Sequence, residues 1–154
     1  MDVTASQAVK AHQMTRVVLD TNAVLDWLVF QNPASTPLGN AIFSGSVRWL
    51  TSISLRAELS HVLERGVVKK WTTDFSSLWS TWNTHAVELP DPPAHRGQAR
   101  LRCTDPDDQK FVDFAVAHQA QWLLTRDRAV LKLRERTLGL GLVIATPESW
   151  SRLG

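Results

Sequence analysis

A single cysteine, Cys103, stands among 154 residues. One thiol excludes an internal disulfide and any zinc site built on several cysteines, and it suits a reduced cytosol. Long apolar runs are missing too: none approaches the roughly 20 residues that a membrane helix needs. The polar stretch from Met1 to Thr15 lacks the apolar heart of a signal peptide. Charge of one sign is also in short supply, since 17 basic and 15 acidic residues leave a formal +2 with a pI near 9.0. That balance permits contact with nucleic acid without demanding it. The expectation is a soluble, cytoplasmic chain of one domain, long enough to bury roughly 70% of the surface its unfolded form exposes.

What is present is an alternation of short apolar runs and helical patterns. Arg16-Val17-Val18-Leu19 reads as a strand buried on both faces, ending abruptly in Asp20-Thr21-Asn22 before a helix over Ala23 to Val29. Asn32 to Pro37 breaks that helix, and a second short helix follows near Leu38 to Phe43. Val47 to Thr51 reads as a second strand and Ser52 to Arg65 as a helix stopped at Gly66. A helix from about Thr73 to His85 carries Trp71, Phe75, Leu78, Trp79 and Trp82 as an aromatic stripe, either core or a surface for a second subunit. Ala86 to Leu89 is a candidate third strand. Trp122 to Thr125 reads as a fourth strand, Ala129 to Leu133 as a short helix, Leu140 to Ala145 as a fifth strand and Thr146-Pro147-Glu148 as a turn or cap. Residues 1–15 read as an extension without a motif, and 16–154 as the domain. The alternation predicts an α/β fold, helices covering a mainly parallel sheet of about five strands.

Four acids sit where such a sheet gathers its chemistry. Asp20 ends the first strand, and ligands of open α/β sheets lie outside the carboxyl ends of the strands. Capping of the next helix is the competing use of Asp20 or Asn22. Glu58 follows Leu55 by three residues on the stripe of Leu55, Leu59, Val62 and Leu63, so it faces the core, where an acid is costly unless it pairs with an arginine or binds a cation. In Asp105-Pro106-Asp107-Asp108-Gln109-Lys110-Phe111, Asp105 suits an N-cap, while Asp108 shares a face with Phe111, Val112 and Ala115. Asp127 follows a strand as Asp20 does. Four converging carboxylates would repel by about 4 kcal/mol per close pair at an effective dielectric of 20. They call for a cation, and an all-carboxylate set favours Mg²⁺ or Mn²⁺ over zinc. The basic, proline-rich stretch with Arg96, Arg100 and Arg102 is either a solvated loop or a rim that contacts phosphate. Lys132, Arg134 and Arg136 read as a solvated face.

These motifs together resemble PIN domains, small metal-dependent ribonucleases, and among them the VapC-like toxins of type II toxin–antitoxin systems. The resemblance spans about Arg16 to Trp150 and rests on Val18-Leu19-Asp20-Thr21-Asn22, on Leu55-Arg56-Ala57-Glu58-Leu59, on Asp105 to Phe111 and on Leu124-Thr125-Arg126-Asp127. It implies a three-layer α/β/α domain with an acidic site at Asp20, Glu58, Asp108 and Asp127, supported by Asn22 and Thr125. It further implies Mg²⁺ or Mn²⁺ as cofactor, RNA as substrate, a homodimer and a cognate antitoxin protein. Two departures stand out: a longer N-terminal extension, and Gln109 where related sequences often have Asn. Two other functions compete. One is an RNA- or protein-binding module with little nuclease activity. The other, a phospho-receiver, would need a lysine ending a late strand, and none does.

Overall fold

The computed structural model describes residues 14–93, 102–104 and 106–153. β1 is Thr15–Leu19, where Val17, Val18 and Leu19 are all buried. Asp20 ends the strand and starts α1, Thr21–Leu28. A 3₁₀ turn at Pro33–Ser35 leads into α2, Thr36–Ser44, closed by Gly45 in the left-handed region at φ 81°. Then come β2, Val47–Thr51; α3, Ile53–Glu64; α4, Ser76–His85; and β3, Ala86–Glu88. The second half holds α5, Gln109–Ala117; β4, Trp122–Leu124; α6, Arg128–Leu131; α7, Arg134–Thr137; β5, Val143–Ala145; and α8, Pro147–Leu153.

The sheet runs β3-β2-β1-β4-β5 with every pairing parallel. Its register puts Val18 opposite both Leu50 and Leu123, and Leu19 opposite Leu124. Because successive strand residues face opposite ways, the core splits in two. Val17, Leu19, Trp49, Leu124 and Ala145 point to one side, where α1, α2, α4 and Trp150 pack. Val18, Leu50, Leu123 and Ile144 point to the other, against Phe111, Phe114 and Val130. The result is the expected three-layer α/β/α arrangement. Strand order reverses at β1, with β2 and β3 to one side and β4 and β5 to the other. In such sheets the crevice at the reversal point takes the ligand.

Several local expectations are corrected. The aromatic stripe divides: Leu78 and Trp82 are buried, and Trp82 meets Trp49 edge to face at 4.9 Å between centroids. Trp79 is half-buried beneath the Arg56 guanidinium, 4.6 Å from its ring. Trp71 precedes the helix, is 57% exposed and packs on Phe30 instead. The helix starts at Ser76 rather than Thr73, because Asp74 accepts from the Ser76 amide at 3.0 Å and turns the chain first. The fifth strand is shorter than expected, since Leu138–Leu140 is a 3₁₀ turn ended by Gly141 at φ 79°. Of the turn or cap expected at Thr146-Pro147-Glu148 the structure has the cap: Thr146 Oγ1 accepts the Ser149 amide at 3.3 Å and Pro147 takes the first position of α8. Residues 1–13 of the N-terminal extension, together with Arg96, Arg100 and Asp105, lie outside the described residues. Among the described residues no helix is long and apolar enough to cross a membrane.

Candidate active site

Asp20 is both cap and site. Its Oδ1 accepts from the Thr21 amide at 2.7 Å, and its Oδ2 accepts from the Thr125 hydroxyl at 2.6 Å. Only 2% of the residue is exposed. Burial pushes its carboxyl from 3.8 up to about 6, the hydrogen bonds from Thr125 and Thr21 pull it back, and the negative charges of Asp127 and Glu58 push it further up. Asp20, Asp127 and Glu58 thus share one electrostatic environment at the carboxyl ends of β1, β2 and β4.

Thr125 connects the two strand-ending acids. While its hydroxyl donates to Asp20, its oxygen accepts the Asp127 amide at 2.9 Å. Asp127 in turn caps α6, accepting from the Ala129 amide at 2.8 Å and the Val130 amide at 3.4 Å. Asn22 holds the same loop from the other side, its Oδ1 accepting the Arg126 amide at 3.0 Å. Asn22 and Thr125 thus both tie the β4–α6 loop to the end of β1.

Glu58 is half-buried on α3, and its cation is Lys110 rather than an arginine, with Nζ to Oε2 at 3.1 Å. Asp108 is half-buried in the turn before α5, one residue ahead of the helix start. No three His, Cys, Asp or Glu side chains of the described residues form a group that could hold a metal ion. Of the four expected acids, Asp127 and Glu58 both act on the carboxyl of Asp20, and Glu58 is also held by a lysine. The donor chemistry fits a hard divalent cation, because every candidate ligand is a carboxylate oxygen and Asp20 is a buried carboxylate pushed up by two further acids. Gln109, the departure from the expected Asn, fastens the segment before α5. It accepts from the Cys103 amide at 2.5 Å and donates to Asp113 at 2.9 Å. Arg102 is exposed, as a rim residue would be.

A second charged group was not legible in the motifs. Arg126, between Thr125 and Asp127, forms ion pairs through Nε with Asp26 of α1 and through its guanidinium end with Glu148 of α8. Burial works against the Arg126 charge, but the hydrogen bonds to Glu148 and Asp26 outweigh it and hold the guanidinium firmly protonated. Asp26 is itself buried and accepts a long 3.4 Å contact from Asn32. Arg126→Met should therefore leave a buried carboxylate without its cation. A loss of about 1–3 kcal/mol is expected, below the full cost of breaking a buried pair because the Arg126 side chain is 33% exposed. Urea unfolding measures it, and an Asp26→Asn/Arg126→Met double variant should recover part of the loss. If the double variant is no more stable than Arg126→Met, the pairing does not stabilise the loop.

Residues 16–129 fit the family model described as PIN domain, a span that includes Asp20, Glu58, Asp108 and Asp127. No curated protein matches the chain significantly.

Proposed function

The chain belongs to the PIN domain family, generally a nuclease fold, and from that premise we propose that it is a Mg²⁺- or Mn²⁺-dependent endoribonuclease. In this reading it is the toxin of a type II toxin–antitoxin system, acts in the cytoplasm as a homodimer and is held inactive by a cognate antitoxin protein. One observation carries the catalytic part: a buried carboxylate, Asp20, raised in pKa and hydrogen-bonded through Thr125 to the loop of a second acid, at the point where strand order reverses. Structural acids at helix caps are ordinarily solvated. Desolvating one beside two others is costly, and an active site is where such a cost is commonly met.

Asp20 and Asp127 would be the central metal ligands, with Glu58 and Asp108 completing the set or holding its waters. A divalent ion bound there supplies a water of lowered pKa and neutralises charge on the phosphate. The chain's own contribution is orientation. Thr125 fixes the rotamer of Asp20, and the α6 amides fix that of Asp127, so neither carboxylate must be ordered during reaction. Exposed Arg102, with Arg96 and Arg100, would contact phosphates along the strand and position it without entering the chemistry.

A specific observation also favours the second reading, an RNA- or protein-binding PIN domain with little nuclease activity: Glu58 is occupied by Lys110. One experiment separates the two. Wild type and Asp20→Asn are each induced in growing cells, and RNA ends are sequenced, since a toxin can cut a single loop that a generic substrate lacks. New 5′ ends and growth arrest are expected for wild type alone. Identical ends and growth from both proteins would remove the nuclease assignment and leave the fold.

A further inference from the structure

Lys110 is the second residue of α5, two positions after Asp108, and its ammonium spans to Glu58 on α3. The pair is neither a buried structural bridge nor a free surface contact. The lysine side chain is 36% exposed and the glutamate 25%. A second carboxylate lies within the field of the same ammonium: Asp91, whose Oδ2 accepts from the Ser54 hydroxyl at 2.7 Å and the Ser54 amide at 3.3 Å. Against burial, the hydrogen bonds from Ser52 and Ser54, together with the Lys110 charge, hold the Asp91 carboxyl below its usual range. Lys110 thus stands, part-exposed and on a flexible four-carbon stem, in reach of Glu58 and in the field of Asp91. Glu58, meanwhile, adds its charge to the field at Asp20. The ammonium therefore already occupies one acid of the set that a divalent cation would use. Two cations drawn to one carboxylate repel each other, so filling the site displaces the lysine toward solvent, where the backbone of a bound strand would run.

We propose that Lys110 is a phosphate-binding residue held in reserve on Glu58, competing with the divalent ion for that carboxylate and moving to a phosphate of the RNA strand once the ion is bound. This rests on the nuclease reading above and adds to it an order of events, metal first and strand clamp second.

The test uses the full chain, Mn²⁺ alone as the metal probe, and a short fluorescein-labelled single-stranded RNA with Ca²⁺ in place of Mg²⁺, so that binding is read apart from turnover. Lys110→Met and Lys110→Gln remove the charge, the second serving if the first folds poorly, and Lys110→Arg keeps it. With the charge gone, the Mn²⁺ concentration giving the half-maximal rise in Tm should fall. In the same variants the slope of log affinity for RNA against log salt should shrink by about 0.7, the share of one contact on a single strand. Lys110→Arg should keep both values near wild type. Either readout left unchanged in the neutral variants overturns the proposal, and a simple drop in Tm would then mark the pair as a fixed clip between α3 and α5. The nuclease reading fails on a different result, identical RNA ends from wild type and Asp20→Asn.

Discussion

Freed of metal by a chelator, the protein should lose stability as pH rises through about 6, and Asp20→Asn should not share that loss. The folded Asp20 carboxyl holds its proton up to about 6, against 3.8 in a solvated chain, because burial disfavours the anion and the charges of Asp127 and Glu58 add to the effect. A folded state that binds the proton more tightly than the unfolded state is favoured at low pH. Its extra stability is complete below pH 3.8 and vanishes above about 6. Some two pKa units correspond to about 3 kcal/mol, of which about half falls between pH 5 and 8. Asn can retain one of the two acceptor contacts, so its absolute stability will differ, but the pH-dependent part disappears. The measurement is urea unfolding of both proteins from pH 5 to 8. Parallel curves would mean that Asp20 is not desolvated as described. Mn²⁺ should reverse the wild-type trend, since an ion that binds the carboxylate stabilises the folded state most where Asp20 is ionised.

Asp127→Asn should lower metal-dependent RNA cleavage more than about a hundredfold while leaving the fold intact. Asn serves as a helix cap about as well as Asp. The substitution can keep the contacts to the Ala129 and Val130 amides and remove only the charge. Loss of a ligand charge from a phosphate-transfer site commonly costs several kcal/mol of transition-state stabilisation. Single-turnover cleavage at saturating Mg²⁺, on the RNA identified by end sequencing, reads the effect, and urea unfolding checks that the cap survives. Activity within a few-fold of wild type, with unchanged stability, would remove Asp127 from the set.

Why these two residues stood out in the sequence, and others did not, follows from the range of their interactions. Asp20 and Asp127 each follow a run of apolar strand residues and precede a helix, and every contact that makes them caps lies within three positions. Local pattern is sufficient for that, and it also sufficed for the parallel sheet, whose strands are near-continuous apolar runs. Arg126 resisted because its partners, Asp26 and Glu148, are 100 and 22 residues away. The Glu58 stripe was readable, but the cation that meets it, Lys110, lies 52 residues on, and only packing of α3 against α5 reveals it. Trp71 misled because helical spacing extends on paper through Thr72 and Thr73, whereas Thr72 and Asp74 exchange side-chain and backbone hydrogen bonds that halt the helix pattern. Leu140 read as the start of a strand from its apolar character, and the Gly141 turn overrode it.

The two outer strands of the sheet, β3 at Ala86–Glu88 and β5 at Val143–Ala145, are three residues long, against five for β1 and β2. An edge offers its unpaired amides and carbonyls to any other strand in reach, and shortness is one of the ways proteins blunt that invitation. A second copy joined by extending the sheet would gain a ladder of only three residues on either side. The folded domain thus presents little regular strand edge on which a sheet could be continued into a neighbour.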